Sequence, residues 1–461
     1  MPLASRYISR FAPPLLTVQL AGIAVAAAAV EAVALYRAPF WGVLGCGAWL
    51  ALLAIIVAPE RLGVRPRHAV PLAIAAALAL RCVSTYFVSG VALGADPMNY
   101  SNLAHAVLDG RGLVTDDWRY GQNLRAYFPP LYPLLLAGWW ALFGASLWAT
   151  LALTTLTDAL AAWLLAGLGR RFAGAAGARA GLLYFAYPSF ALAGAIPHKE
   201  GLTLLLGIAL LRVAVAWRDA PRDTLAALAG VLWGLLALTQ PSLALAPLAL
   251  ALVLIGERGW WRTVRLGLVV APALVLVMSP WWLRNWLIFD RFVPFTTASG
   301  FMTNVALGRL GLPIDPALFQ LSEPDRADVM GRAALARIAE QPFGFLRESG
   351  WSVLSGLAYE EATLARYRHT SPPIAPALHA PLTAILQGAY LTLLVPAALA
   401  ARRASPLLAG WTLALLIAIA GIGLWFEFGE RHRYLVTPLV MILAVQALAA
   451  TLSGRSSPNT R

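Results

Sequence analysis

The sequence predicts an all-α, polytopic membrane protein with about twelve transmembrane helices. Of its 461 residues 60% are hydrophobic and only 12% are charged, whereas soluble domains carry about 25% charged residues. Apolar runs of about 20 residues, the length that crosses roughly 30 Å of hydrocarbon, recur along the chain. The predicted spans lie near 15–36, 40–58, 69–90, 147–168, 180–196, 200–217, 223–239, 241–256, 266–287, 378–400, 405–424 and 433–452.

The arginines between these runs set the predicted orientation, because positive residues accumulate in cytoplasmic loops. If the spans alternate, most loop arginines fall on one side, which is then cytoplasmic. The opposite, outward side receives the segment 91–146, the segment 288–377 and the turn from Glu427 to Arg433. The arginines assigned to the cytoplasmic side are those at 6, 10, 61–67, 170, 171, 218, 222, 258–265, 402, 403 and 455.

The outward segment 91–146 begins with a polar stretch, 91–128, that interrupts two apolar runs. A polar loop of this length on an integral membrane protein is rarely a simple connector. Asp96 and Pro97 open a periodic pattern that ends at Gly110, which predicts a helix. The apolar stretch 129–144 is short and begins with prolines, so we predict a helix at the outer interface, with a short true span as the alternative.

The second outward segment, 288–377, contains an amphipathic stretch at 325–340 that predicts a surface helix. No separate soluble catalytic domain is evident. The whole chain, 1–461, is therefore interpreted as a single integral membrane domain.

Composition and motifs exclude several function classes. The net charge of +13 would suit a nucleic-acid partner, but the arginines are spread over short loops and form no basic patch. Cys46 and Cys82 both fall inside apolar runs, which makes a disulfide an unfavourable interpretation. No phosphate-binding glycine loop and no Cys/His spacing for a metal occurs. No cofactor is evident; a divalent metal stays possible without being indicated.

Asp96 is the first candidate catalytic residue. A carboxylate just outside the lipid can accept a proton from an attacking hydroxyl. The alternative is an N-cap for the helix that starts there, and the two roles are compatible.

The turn Pro197-His198-Lys199-Glu200 is the second candidate, because it contains the single lysine of the chain. It lies where one predicted span ends and the next begins, on the outward side. Lys199 and the positive end of the following helix would together hold a phosphate. Glu200 is a second candidate catalytic residue or a simple complement to the helix dipole, and His198 is a candidate substrate contact.

Further candidate substrate contacts are arginines predicted at the outer membrane edge, where positive residues are unexpected. A lipid-linked phosphate is one counter-ion for them. Pairing with Asp290, Glu427 and Glu430 is the alternative. Tyr127 would stack on a sugar ring or serve as an interfacial aromatic. The candidate arginines are Arg125, Arg284, Arg431 and Arg433.

Asp158 lies inside a predicted span. An intramembrane carboxylate is a functional candidate by default. The favoured interpretation here is a bond to a neighbouring helix or to Arg81.

Five pieces of the chain, in order, resemble bacterial GT-C-fold glycosyltransferases. They are ADPMNYSNLAHAVLDGRGL, YFPPLYPLLLAGWWALFG, PHKE, SPWWLRNWLIFDRFVPF and GERHRYLVTPL. The pattern is most similar to the dolichyl-phosphate-mannose–protein mannosyltransferase-like group, which includes the aminoarabinose transferases of lipid A. The resemblance implies a polyprenyl-phosphate sugar donor and an outward-facing site. Asp96 matches the acidic residue of the first external loop, and Glu200 a later external acidic residue.

The chain departs from that group in two places. The family often has Asp-Glu in the first loop, where this chain has Asp96-Pro97. The aminoarabinose branch often has a lysine before a proline in the stretch that reads YFPP here. Its phosphate contact would have to come from Arg125, Lys199, Arg284 or Arg433.

The predicted function is transfer of a hexose or pentose from a polyprenyl-phosphate donor to a hydroxyl of a glycan, lipid or protein. The site would face the periplasm or exterior of a bacterial inner membrane. The alternative is a transporter or flippase of lipid-linked saccharide. Transporters tend to show inverted repeats with interrupted helices at the midplane, whereas the polar candidates here gather at one face.

Overall fold

The computed structural model describes residues 3–89, 92–117, 119–194, 196–360, 364, 375–426 and 429–453. These residues are helical over most of their length, which confirms the predicted all-α membrane architecture. The first helices are α1 (Leu3–Arg37), α2 (Pro39–Val57), α3 (Pro66–Val88), α4 (Ala95–Leu108), α5 (Leu131–Phe143), α6 (Leu147–Ala186), α7 (Pro188–Leu192), α8 (Glu200–Asp219) and α9 (Asp223–Thr239).

The second half continues with the same architecture. Short 3-10 helices at Pro59–Leu62, Pro241–Leu243, Gly308–Leu310 and Pro316–Gln320 connect some of the elements. The α-helices are α10 (Ala246–Arg258), α11 (Trp260–Phe289), α12 (Ser299–Ala306), α13 (Glu323–Glu340), α14 (Pro342–Ala358), α15 (Pro376–Ala401), α16 (Pro406–Trp425), α17 (Glu430–Arg433) and α18 (Thr437–Ser453).

Within the described ranges, nine helical segments are long and apolar enough to cross a membrane. Three shorter apolar helices accompany them: α5, α9 and most of α18. The predicted count of about twelve spans therefore remains a prediction. Helix α18 is central, because every residue from Leu439 to Val445 is at most 5% exposed. Helix α11 is peripheral, since only 17% of the residues in its most apolar stretch of 18 are buried.

Helix α6 folds back on itself. Ala173 and Gly174 leave the helical conformation, and Gly174 adopts a φ of +61°. The two arms then run antiparallel and touch: a Cβ on Gly169 would lie 2.1 Å from the carbonyl oxygen of Gly177. The arms correspond to the two separate segments predicted at 147–168 and 180–196. One continuous candidate span at 147–192 is thus a tight hairpin.

Three connections predicted to be cytoplasmic come together at one end of the helices. Each ion pair joins an arginine of one connection to an acidic residue of another connection. The predicted alternation of the helices accounts for this grouping. The pairs are Arg171–Asp219 (3.2 Å), Arg218–Glu257 (2.9 Å) and Arg265–Asp223 (3.4 Å).

The segment after α4 differs from the prediction in one respect. An antiparallel hairpin forms from β1 (Thr115–Asp117) and β2 (Gly121–Leu124), which the sequence pattern did not predict. Its strands are too short for an alternating pattern to be recognised.

Helix α5 occupies the ambiguous stretch 129–144. Its 13 residues are about 20 Å long, shorter than the roughly 30 Å of hydrocarbon. The Trp139 and Trp140 indoles donate to Ala149 and Thr150 of α6, so α5 packs against that helix. Trp140 is buried there.

The outward segment 288–377 holds the predicted amphipathic helix as α13. The Ser322 hydroxyl caps its first turn by accepting the backbone N–H of Asp325. Two carboxylates of its polar face, Asp325 and Asp328, pair with Arg291 at 2.9 and 2.6 Å.

Candidate active site

A cavity of about 630 Å³ opens between the ends of helices that are far apart in the sequence. It is lined by the start of α4, the tip of the β-hairpin, the turn before α8 and the α9–α10 connection. The α11–α12 connection, the end of α16 and α17 complete the wall. Except for the α9–α10 connection and the end of α16, these parts of the wall belong to segments that the sequence analysis assigned to the outward side. The volume is within the usual range for small-molecule sites.

One end of the cavity carries a group of charged side chains, which we call the charged cluster: Asp96, Arg119, Lys199 and Arg431. The Arg431 guanidinium and the Asp96 carboxylate form an ion pair at 2.9 Å, with side chains 22% and 20% exposed. Three cations and the Asp96 carboxylate line the cavity here, and Asp117 pairs with Arg119 at 2.8 Å from outside the lining, so these described groups have one positive charge in excess. Such an excess of positive charge in a partly enclosed pocket attracts an anion.

Asp96 lies in the first turn of α4, where the sequence analysis placed it. Gly94 is the N-cap residue of this helix, and no side chain caps it, so the capping interpretation of Asp96 is wrong. Burial alone would raise the pKa of Asp96. The charges of Arg431, Lys199 and Arg119 and the Arg431 hydrogen bond outweigh burial, so the pKa is lowered. The carboxylate is ionised at neutral pH.

Arg119 is the member of the cluster that sequence reasoning missed. It follows β1 in the tight turn of the hairpin, and Asp117 fixes it in place. The Arg119 Nε and Nη2 donate to the two carboxylate oxygens at 3.1 and 2.8 Å. Asn99 of α4 in turn donates to Asp117 at 2.5 Å. The guanidinium is thereby oriented before any ligand arrives.

The turn before α8 brings Lys199 and His198 to the cavity wall. Lys199 is only 8% exposed, and its ammonium lies 5.7 Å from the centre of the Tyr100 ring. It occupies the N-cap position of α8, where the helix dipole adds to its positive charge. Glu200, the first residue of α8, does not line this cavity and instead pairs with His198.

Helix α17 presents successive residues to different surroundings. Arg431 and His432 line the cavity, and burial together with the neighbouring Arg431 and Lys199 charges lowers the pKa of His432 to about 3. Arg433 does not line the cavity. Its guanidinium pairs with the buried Glu360 and donates to the Gly356 carbonyl at 2.6 Å. The structure therefore places Arg433 in a buried structural pair and not among the cavity-lining contacts.

Arg284 and Arg125 also lie outside the cavity lining. Arg284 donates to the Leu113 carbonyl at 3.1 Å and to the Asn285 side chain at 2.9 Å. The backbone N–H of Arg125 binds the Glu323 carboxylate, while its side chain is exposed. Both arginines thus help to hold the outward segments together.

Among the described ion pairs, the suggested partner Asp290 does not bind any of these arginines. Arg431 and Arg433 bind Asp96 and Glu360, and Arg284 binds the Leu113 carbonyl. The suggested partner Glu427 lies outside the described residues, as does the Glu430 side chain.

Tyr127 lines the cavity and stacks on Tyr120, with ring centroids 4.4 Å apart. The two rings form an aromatic wall beside Arg119. The lining as a whole is mainly apolar. Its apolar residues include Leu245, Phe295, Met302, Ile422 and Phe426.

Asp158, which lies inside a predicted span, belongs to a buried ion pair. It pairs with Arg81 at 2.8 Å, with side chains 3% and 0% exposed, and also accepts the Tyr184 hydroxyl. The predicted partner was Arg81. Asp158 is sealed inside the helix bundle, away from the main cavity.

No group of three or more His, Cys, Asp and Glu side chains arranged for a metal ion occurs among the described residues. The cations of the charged cluster are the groups available to an anionic ligand there.

One family model matches part of the chain. Residues 128–283 match the family model described as dolichyl-phosphate-mannose-protein mannosyltransferase. Over that segment the chain resembles the group indicated by its sequence motifs. The segment contains α5 to α10 and most of α11, and hence the turn that carries Lys199. No curated protein matches the chain.

Solved structures give distant likenesses. An oligosaccharyltransferase from Archaeoglobus fulgidus is similar over 83% of this chain at 14% identity and a TM-score of 0.48. This chain spans 48% of that protein's length. ArnT from Cupriavidus metallidurans, solved with undecaprenyl phosphate, is similar over 84% of this chain and 78% of its own, at 17% identity and a TM-score of 0.41.

Proposed function

We propose that the protein is a membrane glycosyltransferase that moves a sugar from a polyprenyl-phosphate donor to a hydroxyl acceptor. The observation that carries this proposal is the charged cluster, in which three cations and one carboxylate share one end of a largely apolar cavity. The donor phosphodiester has one negative charge, and the departing polyprenyl phosphate gains more. Groups already oriented toward that developing charge stabilise the transition state. The family match over residues 128–283 supports the same chemistry.

The chain's own groups divide the work. Arg119, Lys199 and Arg431 bind the phosphate of the donor and stabilise it as it leaves. Asp96 accepts a hydrogen bond from the acceptor hydroxyl and directs the oxygen toward the anomeric carbon. The new bond forms as the carbon–oxygen bond to phosphate breaks. A direct displacement of this kind inverts the anomeric centre.

The remaining wall suits the other parts of the donor. The stacked Tyr120 and Tyr127 rings offer a flat apolar surface to the carbon–hydrogen face of a sugar. The apolar side near Leu245 and Phe426 accommodates the first isoprenes of the lipid. The cavity is thus amphipathic in the same direction as a polyprenyl-phosphate sugar.

The distribution of loop arginines supports an outward-facing site. In a bacterial plasma membrane this side is the periplasm or exterior. The acceptor is then a hydroxyl of a glycan, lipid or protein exposed there.

The test uses the full chain in lipid nanodiscs without an ion gradient. Radiolabelled undecaprenyl-phosphate hexoses and pentoses are supplied together with extracted membrane lipids and glycans. We expect transfer by the wild type and a loss of at least about 100-fold in Asp96→Asn, because the acceptor is no longer oriented. Asp109→Asn is the matched control, since that exposed carboxylate lies in the same loop and pairs only with Arg111 among the ion pairs of the described residues.

Two results would contradict the proposal. Full activity in Asp96→Asn would remove that carboxylate from the mechanism. Movement of lipid-linked saccharide across the bilayer of proteoliposomes, with no transfer to any acceptor, would establish the transporter alternative.

A further inference from the structure

His198 occupies a position between two cavities. It lines the main cavity on one side and, on the other, a small cavity of about 20 Å³. Asp158, Ser189, Glu200 and Tyr434 also line the small cavity. His198 itself is only 5% exposed. His198 therefore lies between the main cavity and a small pocket that is lined by both polar and apolar residues.

Glu200 fixes the orientation of this imidazole. Its carboxylate contacts Nδ1 of His198, and both side chains are largely buried. A carboxylate on Nδ1 selects the tautomer that carries its proton there and stabilises the ring when it gains a second proton. Proton exchange with the main cavity then uses the other nitrogen, Nε2.

A second contact restricts the ring on its other side. The Tyr100 ring meets His198 edge to face, with centroids 5.8 Å apart. Tyr100 is completely buried and belongs to α4, the helix that also carries Asp96. The imidazole is thus held from α8 and from α4, in the same two elements that supply Lys199 and Asp96.

Asp96 is poorly suited to accept the acceptor's proton. Its carboxylate is engaged by Arg431 at 2.9 Å, and the surrounding cations favour its ionised form. A carboxylate stabilised in this way binds protons weakly, although it still accepts a hydrogen bond. The general base that takes up the proton of the acceptor hydroxyl therefore has to be another group on the cavity wall.

We propose that His198, oriented by Glu200, is the general base that removes the proton from the acceptor hydroxyl. The proposal rests on the glycosyltransferase function given above. The acceptor O–H proton passes to Nε2 of His198 as the acceptor oxygen bonds to the anomeric carbon. The bond from that carbon to the phosphate oxygen breaks, and its electron pair leaves with the polyprenyl phosphate. The imidazolium then returns its proton to the departing phosphate or to water.

The roles of the neighbouring groups follow from their contacts. His198 is the catalytic residue, and Glu200 is a positioning residue that acts through it. Asp96 orients the acceptor hydroxyl, and the three cations receive the phosphate. The titratable and charged groups around His198 are Glu200, Lys199, Tyr100, Asp158, Tyr434, and, across the main cavity, Asp96, Arg119, Arg431 and His432.

The experiment measures transfer kinetics and binding of undecaprenyl phosphate with His198→Ala in the full-length protein. We expect kcat to fall by about 100- to 10,000-fold, as for loss of a general base, with the Kd for undecaprenyl phosphate within about two-fold of the wild type. Imidazole added at about 50 mM should raise the kcat of His198→Ala at least ten-fold, because it fits the space left by the side chain. A purely structural histidine would not respond in this way.

His432→Ala is the matched control. His432 lines the same cavity, but its Nδ1 accepts the backbone N–H of Gly429 at 3.1 Å. Imidazole should not restore its activity. A second variant, Glu200→Gln, should lower kcat by about ten-fold and leave KM unchanged, since it retains the shape of the side chain and loses only the charge that orients the imidazole.

The outcomes separate this proposal from the function on which it rests. Absence of transfer and of undecaprenyl phosphate binding by the wild type would overturn both. Normal wild-type transfer with an unchanged kcat in His198→Ala, or with no restoration by imidazole, would overturn the role of His198 alone. If His198→Ala is not recovered as a folded protein, His198→Gln takes its place with the same kcat and Kd criteria.

Discussion

Two aspartate–arginine pairs in this molecule are nearly identical in geometry and opposite in use. Arg81 and Asp158 meet at 2.8 Å in the helix bundle, and Arg431 and Asp96 meet at 2.9 Å in the cavity. The first pair is sealed, with side chains 0% and 3% exposed, whereas the second is about one-fifth exposed. The two pairs differ in the charged groups that surround them.

The sealed pair is balanced. Asp158 faces one arginine and one tyrosine hydroxyl, and Arg81 also donates to the Phe185 carbonyl at 3.3 Å. Beside the cavity pair lie two additional cations, Arg119 and Lys199, and Asp96 is the only carboxylate among the described residues that line this cavity, while Asp117 pairs with Arg119 from outside the lining. Burial of charge alone therefore does not identify a site. Unbalanced charge beside a ligand-sized space is the more informative feature.

The largest expected effect comes from breaking the sealed pair. Arg81→Met leaves Asp158 buried without its counter-ion, which typically costs about 3–5 kcal/mol. Thermal melting in detergent should show a strongly reduced stability. The double variant Arg81→Met/Asp158→Leu should recover most of the loss, because it removes both charges. An unchanged melting temperature in the single variant would mean that the pair does not hold α3 to α6.

The second effect distinguishes two neighbouring arginines. Arg431→Met removes one charge-assisted contact to the donor phosphate, worth about 1.5–3 kcal/mol, so the Kd for undecaprenyl phosphate should rise about 10- to 100-fold. Arg433→Met should instead lower the melting temperature and leave the Kd of the folded fraction unchanged, because Arg433 binds Glu360. Isothermal titration calorimetry with undecaprenyl phosphate measures the Kd of each variant, and thermal melting measures its stability. Equal weakening by the two variants would contradict the assignment.

The smallest effect is a displacement of the pH profile. The cations of the charged cluster lower the pKa of Asp96, so its ionised form should persist to acidic pH and be lost only as the pH falls through that lowered value. Any stability that the ion pair contributes follows the same sign. It is fully present above the ordinary aspartate pKa of about 3.9 and disappears toward lower pH.

In Arg431→Met the burial of Asp96 is less opposed, so Asp96 should take up its proton at a higher pH than in the wild type. Melting temperatures measured from about pH 3 to 8 test this expectation, because the acidic limb of kcat would report the proposed general base His198. A melting profile with the same acidic transition in both proteins would show that another group sets it.

The sequence predicted most of the helices because the bilayer imposes a length and a composition on each one. It also predicted that Asp96 and Lys199 belong near one another, since both stand at helix starts on the predicted outward side. The structure brings both to the same cavity. The sequence also predicted two separate segments where α6 reverses its direction at Ala173 and Gly174, although the helical pattern of the sequence continues through these two residues.

Other parts of the candidate site had no readable signal. Arg119 becomes a cavity residue only through a hairpin of ten residues, 115–124, whose strands are too short to be recognised. Arg431 and Arg433 stand two positions apart, and no spacing rule tells which one faces the cavity on a helix of one turn. Glu360, the partner of Arg433, has no motif around it. These features depend on contacts between distant segments, which a linear pattern does not contain.

The bond between Asp96 and Arg431 joins residues 335 positions apart. At a synthesis rate of about 5–20 residues per second, the ribosome adds Arg431 roughly 15 to 70 s after Asp96. Throughout that interval the nascent chain inserts into the bilayer with one half of the ion pair still unmade. The cavity is consequently completed late in translation, when the last helices close it.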